Sequence, residues 1–67
     1  MSDIVEFNQD AIDFILSRAG FTSRERQLFL LRHDENSLEE CAEIMNCSTS
    51  TVSRINKKMK KKIMSIL

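Results

Sequence analysis

Residues 48–58, "STSTVSRINKK", concentrate the side chains with recognisable chemistry in this chain. Ser48, Thr49, Ser50, Thr51 and Ser53 bring hydroxyls, Arg54 a guanidinium, and Lys57, Lys58 and the nearby Lys61 ammonium groups. Hydroxyls donate and accept hydrogen bonds, while guanidinium and ammonium groups only donate. No cluster of His, Cys or carboxylates gathers here from which an acid–base or nucleophile set could be proposed. From Ser48 onward the chain has no acid and no histidine. The chemistry on offer is recognition of an anion, and no catalytic residue or enzymatic activity is expected. Elsewhere there are two cysteines, Cys41 and Cys47, and one histidine, His33. These are too few for a structural zinc site, so neither a metal nor another cofactor is expected. Both cysteines fall at apolar positions and read as small core residues. His33 reads as a surface residue without a chemical role.

The charge distribution points the same way. The 67 residues sum to zero, but residues 1–36 hold seven acids and four bases, a balance of −3. Residues 37–67 hold three acids and six bases, a balance of +3. Such asymmetry suggests a basic surface that meets a polyanion. For a lysine run alone, the simpler alternative is a solvated helix face.

These side chains need elements to carry them. The chain has no proline, one glycine (Gly20), four Phe and neither Trp nor Tyr, and no segment alternates as a strand would. An all-α fold of four helices is expected, in one domain over residues 1–67 with its core at 11–63. A domain this small buries only about 60% of its unfolded surface, so a partner or an efficient helical core is needed. No stretch approaches the ~20 apolar residues of a membrane span. The acidic opening "MSDIVEF" is no signal leader. A cytoplasmic protein with free thiols is the expectation, in a bacterial or phage-infected cell.

Helix one is expected from about Ile4 to Ala19, with Ile4, Phe7, Ala11, Ile15 and Ala19 on one face and Gly20 as its stop. Asp3 with Glu6 would box its start, while Asn8 or Asp10 are alternative starts. Helix two begins at a capping box, Thr22 with Glu25. Its run Leu28, Phe29, Leu30 and Leu31 predicts burial on most sides and a central place in the core. Residues 33–36 form a polar loop. Helix three begins at a second box, Ser37 with Glu40, and turns Leu38, Cys41, Ala42 and Met45 inward. Asn46 ends it by taking positive φ, and Ser48 caps helix four. The inner stripe of helix four is Val52, Ile55, Met59, Ile63 and Ile66.

Two helices joined by a turn of about three residues, the second bearing hydroxyls and bases, make a helix-turn-helix over about 37–58. An ordinary helical hairpin is the plainer alternative. At about 100° per residue, Ser50, Ser53, Arg54, Lys57 and Lys61 gather opposite the inner stripe of helix four, flanked by Thr49 and Thr51. The helix N-terminus suits phosphate. Short hydroxyl side chains permit close approach in a major groove, and Arg54 has the bidentate fork for guanine. Lys57, Lys58, Lys60, Lys61 and Lys62 would follow the DNA backbone.

On these residues the chain resembles region four of bacterial sigma factors, which reads the upstream promoter element. The matching pieces are "FTSRERQLFLLR" at 21–32, "SLEECAEIM" at 37–45 and "CSTSTVSRI" at 47–55. The pieces "TSRERQLFLL" and "STSTV" are also similar to the DNA-binding domain of LuxR-type regulators, which usually adds a dimerising helix after the recognition helix. Here the long recognition helix comes last, as in region four. The resemblance implies base contacts from that helix and docking on the RNA polymerase flap. Asn46 stands where the family usually has a turn glycine. Promoter melting relies on aromatics of a different sigma region, so this chain is not expected to open DNA alone.

The expected function is sequence-specific binding of double-stranded DNA to regulate transcription, through Ser48, Thr49, Ser50, Thr51, Ser53, Arg54, Lys57, Lys58 and Lys61. The alternative is a module that docks on RNA polymerase, a sigma factor or another regulator without stable DNA binding of its own. The tail offers Ile63, Met64, Ile66 and Leu67 for a homodimer, with Ile63 and Ile66 on the inner stripe and Met64 and Leu67 off it.

Overall fold

A computed structural model describes residues 8–67. Its elements are α1 (Gln9–Arg18), α2 (Ser23–His33), α3 (Leu38–Ile44) and α4 (Thr49–Ile66), with no strand among the described residues. Every helix starts where a side-chain oxygen accepts one of the N–H groups that the first turn leaves unpaired. Asn8 does this for α1, Thr22 for α2, Ser37 for α3 and Ser48 for α4. The Ile4 start and the Asp3–Glu6 box lie outside the described residues; the regular helix begins at the alternative, Asn8.

Both expected capping boxes form. The Thr22 and Ser37 N–H groups donate to Glu25 and Glu40 at 2.9 and 2.7 Å, and the glutamate N–H groups return to the hydroxyls at 3.2 and 3.1 Å. α4 is capped differently. Thr51 stands at the third position, and its hydroxyl lies 3.0 Å from that of Ser48. This cap puts no carboxylate in the first turn of α4.

The ends of α1, α2 and α3 share one device, a left-handed residue just past the last turn. Gly20 (φ 65°) follows α1 and Asn46 (φ 56°) follows α3. Around Asn46 the N–H groups of Asn46 and Cys47 return to the carbonyls of Glu43 and Ala42 at 3.2 and 2.9 Å. The polar loop after α2 is built on the same plan, which its sequence conceals. Glu35 takes the left-handed position (φ 67°), and Glu35 and Asn36 donate to Arg32 and Leu31 at 3.0 and 3.1 Å. The Arg32 guanidinium then ties the carbonyl of Asn36 at 2.8 Å.

The core gathers Ile12 and Ile15 of α1, Leu28 and Phe29 of α2, Cys41, Ala42 and Met45 at α3, and Val52, Met59 and Ile63 of α4. Two expectations need correction. The inner face of α1 centres on Ile12 and Ile15, while Ala11 and Ala19 are only half-buried. The central post is α4 and not α2, because α4 packs on all three other helices. Its 18 residues give it a length of about 27 Å along which to do so. α2 is shorter and buries one side only: Leu31 is half-buried and Leu30 is 38% exposed. No helix among the described residues is long and apolar enough to cross a membrane.

Candidate nucleic-acid interface

The turn between α3 and α4 sets the direction of the second helix. Ala42 is buried where a larger side chain would hold the two helices apart, and Val52 closes the core between them. The half-buried Cys47 and Ile55 pack against that core. With Val52, Met59 and Ile63 turned inward, the other side of α4 faces solvent. Thr49, Ser50, Ser53, Arg54, Lys57, Lys58, Lys60 and Lys61 are all exposed. The expected face is therefore assembled on one helix.

The hydroxyls divide into two groups. Ser48 Oγ accepts the Thr51 N–H at 3.2 Å and also meets the Thr51 hydroxyl, so these two shape the helix start. Thr51 is half-buried. Thr49, Ser50 and Ser53 remain outside the cap. The first turn of α4 carries no acid, so the positive end of the helix dipole is not neutralised there.

Lys62 departs from expectation. It does not join the outer lysines but turns toward α2. Its ammonium lies 2.6 Å from Glu25 Oε1 and donates to the Gly20 carbonyl at 3.2 Å. The reason is position: Lys62 lies one turn past Lys58 on the flank of α4 that meets the start of α2. Glu25 is almost wholly buried there. Burial pushes its carboxyl pKa up, but the Lys62 hydrogen bond, the Thr22 N–H and the Lys62 charge together outweigh this. The net effect holds Glu25 below its ordinary value, so it is a carboxylate.

One site residue was not legible as such. Thr22, Arg24 and Glu25 from the start of α2, with Thr51, Arg54, Ile55 and Lys58 from α4, line an open cleft of about 270 Å³. Arg24, Arg54 and Lys58 thus bring three cations from two helices to one place. A faint signal existed. Arg24 is in the first turn of α2, where a cation opposes the helix dipole, which suggests a use other than helix stability.

The remaining groups of interest lie elsewhere. Cys41 is fully buried, and burial pushes its thiol pKa up, so it stays neutral and unreactive. Cys47 is half-buried and free of any disulfide. His33 is half-buried and belongs to the last turn of α2, not to the polar loop that follows it. Among the described residues no three His, Cys, Asp or Glu side chains come together as metal ligands would.

Comparison with known proteins bears on this arrangement. Residues 19–63 match the family model for Sigma-70, region 4. The match takes in α2, α3, the turn at Asn46 and α4 as far as Ile63. No curated protein and no solved structure matches the chain. The family match spans most of the chain and the whole helix-turn-helix. The chain therefore belongs to the sigma-70 region 4 family, non-enzymatic helix-turn-helix domains of transcription that bind DNA and RNA polymerase.

Proposed function

We propose that this protein binds duplex DNA in a sequence-specific manner and regulates transcription, with α4 as the recognition helix in the major groove. Thr49, Ser50, Ser53 and Arg54 read base edges. Lys57, Lys58 and Lys61, joined by Arg24 from α2, hold the phosphates on either side. Ser48 and Thr51 cap the helix without an acid and so let its N-terminus approach the backbone. The observation that carries this reading is the outer face of α4: hydroxyls first, then Arg54 and lysines, every one exposed but Thr51, and no carboxylate.

A gel shift with random-sequence duplex at two salt concentrations tests it. A shift that weakens with salt supports DNA binding, and selection from a random DNA pool then yields the preferred site. Absence of a shift, together with co-purification on RNA polymerase, would favour the rival: a module that docks on polymerase or a sigma factor without holding DNA itself. Pairing of two copies through the tail is proposed with the first reading, on a smaller surface than the sequence suggested. Ile63 is 6% exposed and belongs to the core, whereas Met64 and Leu67 are 77% and 73% exposed beside a half-buried Ile66.

A further inference from the structure

Glu25 stands where two interactions meet that DNA recognition does not by itself require. Its Oε1 accepts the Thr22 N–H at 2.9 Å, closing the cap of α2, and the Lys62 ammonium at 2.6 Å. Lys62 holds the Gly20 carbonyl as well. The carboxylate side chain is 5% exposed and the lysine 35%. Salt screens such a pair far less than a surface one. The pair joins two helices through residues 37 apart in the chain.

The surroundings give this link a direction. Glu25 forms part of the same cleft wall as its neighbour Arg24, and Arg54 and Lys58 of α4 form the other wall. Lys62 lies about 12 Å along the helix from Arg54. Three cations facing one cleft repel each other and push the start of α2 away from α4. A buried anion held to α4 opposes that motion.

We propose that Glu25 and Lys62 are positioning residues of the DNA face, an inference that rests on the DNA-binding reading above. The pair clamps the first turn of α2 to α4. It thereby keeps Arg24 at the distance from Arg54 and Lys58 that one duplex demands, and neither member of the pair touches DNA. Electrostatics alone makes the opposite prediction for Glu25. Removing a carboxylate from a cleft wall that meets phosphate should tighten binding.

Glu25→Gln is the informative variant. Glutamine at this position preserves the capping box, and a Lys62 already one-third exposed can turn to water. Binding to a random-sequence duplex is measured by fluorescence anisotropy across a salt series. The orientation of α2 relative to α4 in the free protein is measured by residual dipolar couplings. Glu25→Gln is expected to stay folded by circular dichroism, shift the couplings, and weaken binding about tenfold. Lys62→Gln should weaken binding to the same extent without changing the salt slope, and Lys62→Arg should restore it. Arg24→Gln should lose less affinity in the Glu25→Gln background than alone, since a displaced Arg24 has less to lose. Tighter or unchanged binding of Glu25→Gln overturns the clamp. So does a slope lowered by about 0.9 in Lys62→Gln, which would make Lys62 a phosphate ligand. If the unmutated chain binds no duplex, the DNA reading falls and takes the clamp's purpose with it. Unchanged couplings in Glu25→Gln would overturn the clamp itself.

Discussion

Arg54 and Lys62 are cations of the same helix, eight residues apart, on different sides of it. Arg54 is exposed on the outer face, where its planar fork can take two acceptors of one guanine. Lys62 is drawn to a buried carboxylate and is half-covered. If Arg54 reads a base, Arg54→Ala should weaken specific binding by about 1–3 kcal/mol and relax base choice at one position. Parallel titrations on the selected site and on random duplex check this. Equal losses on both would show that Arg54 meets phosphate instead. At the same scale, Glu35 and Asn46 both sit in the left-handed region, which asparagine tolerates and glutamate does not. Relieving that strain should raise stability by about 0.5–1 kcal/mol for Glu35→Gly, after the glycine's added freedom in the unfolded chain is subtracted. Asn46→Gly should gain less. Thermal melts of the two variants decide it, and a lower midpoint for Glu35→Gly would contradict the argument.

The helix start decides what an element can meet. α2 and α3 close their first turns with a glutamate, which stabilises a helix but repels phosphate at its N-terminus. α4 uses hydroxyls alone, giving up the reciprocal bond and leaving its first turn without negative charge. The lysines farther along α4 then define how strongly the element as a whole holds a polyanion. Exchanging Lys57 and Lys58 for Gln should lower affinity on all sequences alike. The slope of log affinity against log salt should also flatten by about 0.9 for each duplex phosphate that is no longer neutralised. An anisotropy titration over several salt concentrations gives that slope, and no change would mean both lysines face only water.

For the whole molecule, the tie between α2 and α4 also makes stability depend on pH. Glu25 is held below its ordinary pKa in the folded state. Its contribution is therefore fully present above the unfolded value of about 4.3 and is lost as pH falls through the lower, folded one. Denaturation midpoints should drop through that acid window, and Glu25→Gln should flatten the drop. A parallel acid profile for the variant would assign the loss to other carboxylates. The tail is the other feature of this scale. Met64 and Leu67 leave apolar surface uncovered at one end of a small body. If two copies pair there, ultracentrifugation at micromolar concentration should show a mass well above 7.8 kDa that falls to that value on Met64→Glu. A mass of 7.8 kDa before and after the substitution would leave polymerase or another transcription protein to cover that end.

Local chemistry was enough to determine much of this protein. Capping residues act on N–H groups three positions away, so Thr22, Ser37 and Ser48 announced their helices in sequence. The turn at Asn46 and the outer face of α4 follow from φ preference and helical period, which are also local. The rest depended on packing between distant segments. A hydrophobic run as dense as 28–31 does not say how many neighbours will cover it, so the exposed Leu30 and the central role of α4 were not legible. Glu35 in a left-handed position contradicts its own preference, and only the hydrogen bonds at the end of α2 hold it there. The five lysines of α4 look alike in sequence. Tertiary structure separates them, because the buried carboxylate of Glu25 claims Lys62 from across the fold. The same approach of α2 to α4 brings Arg24 and Arg54 to one cleft, two residues that sequence spacing alone cannot join.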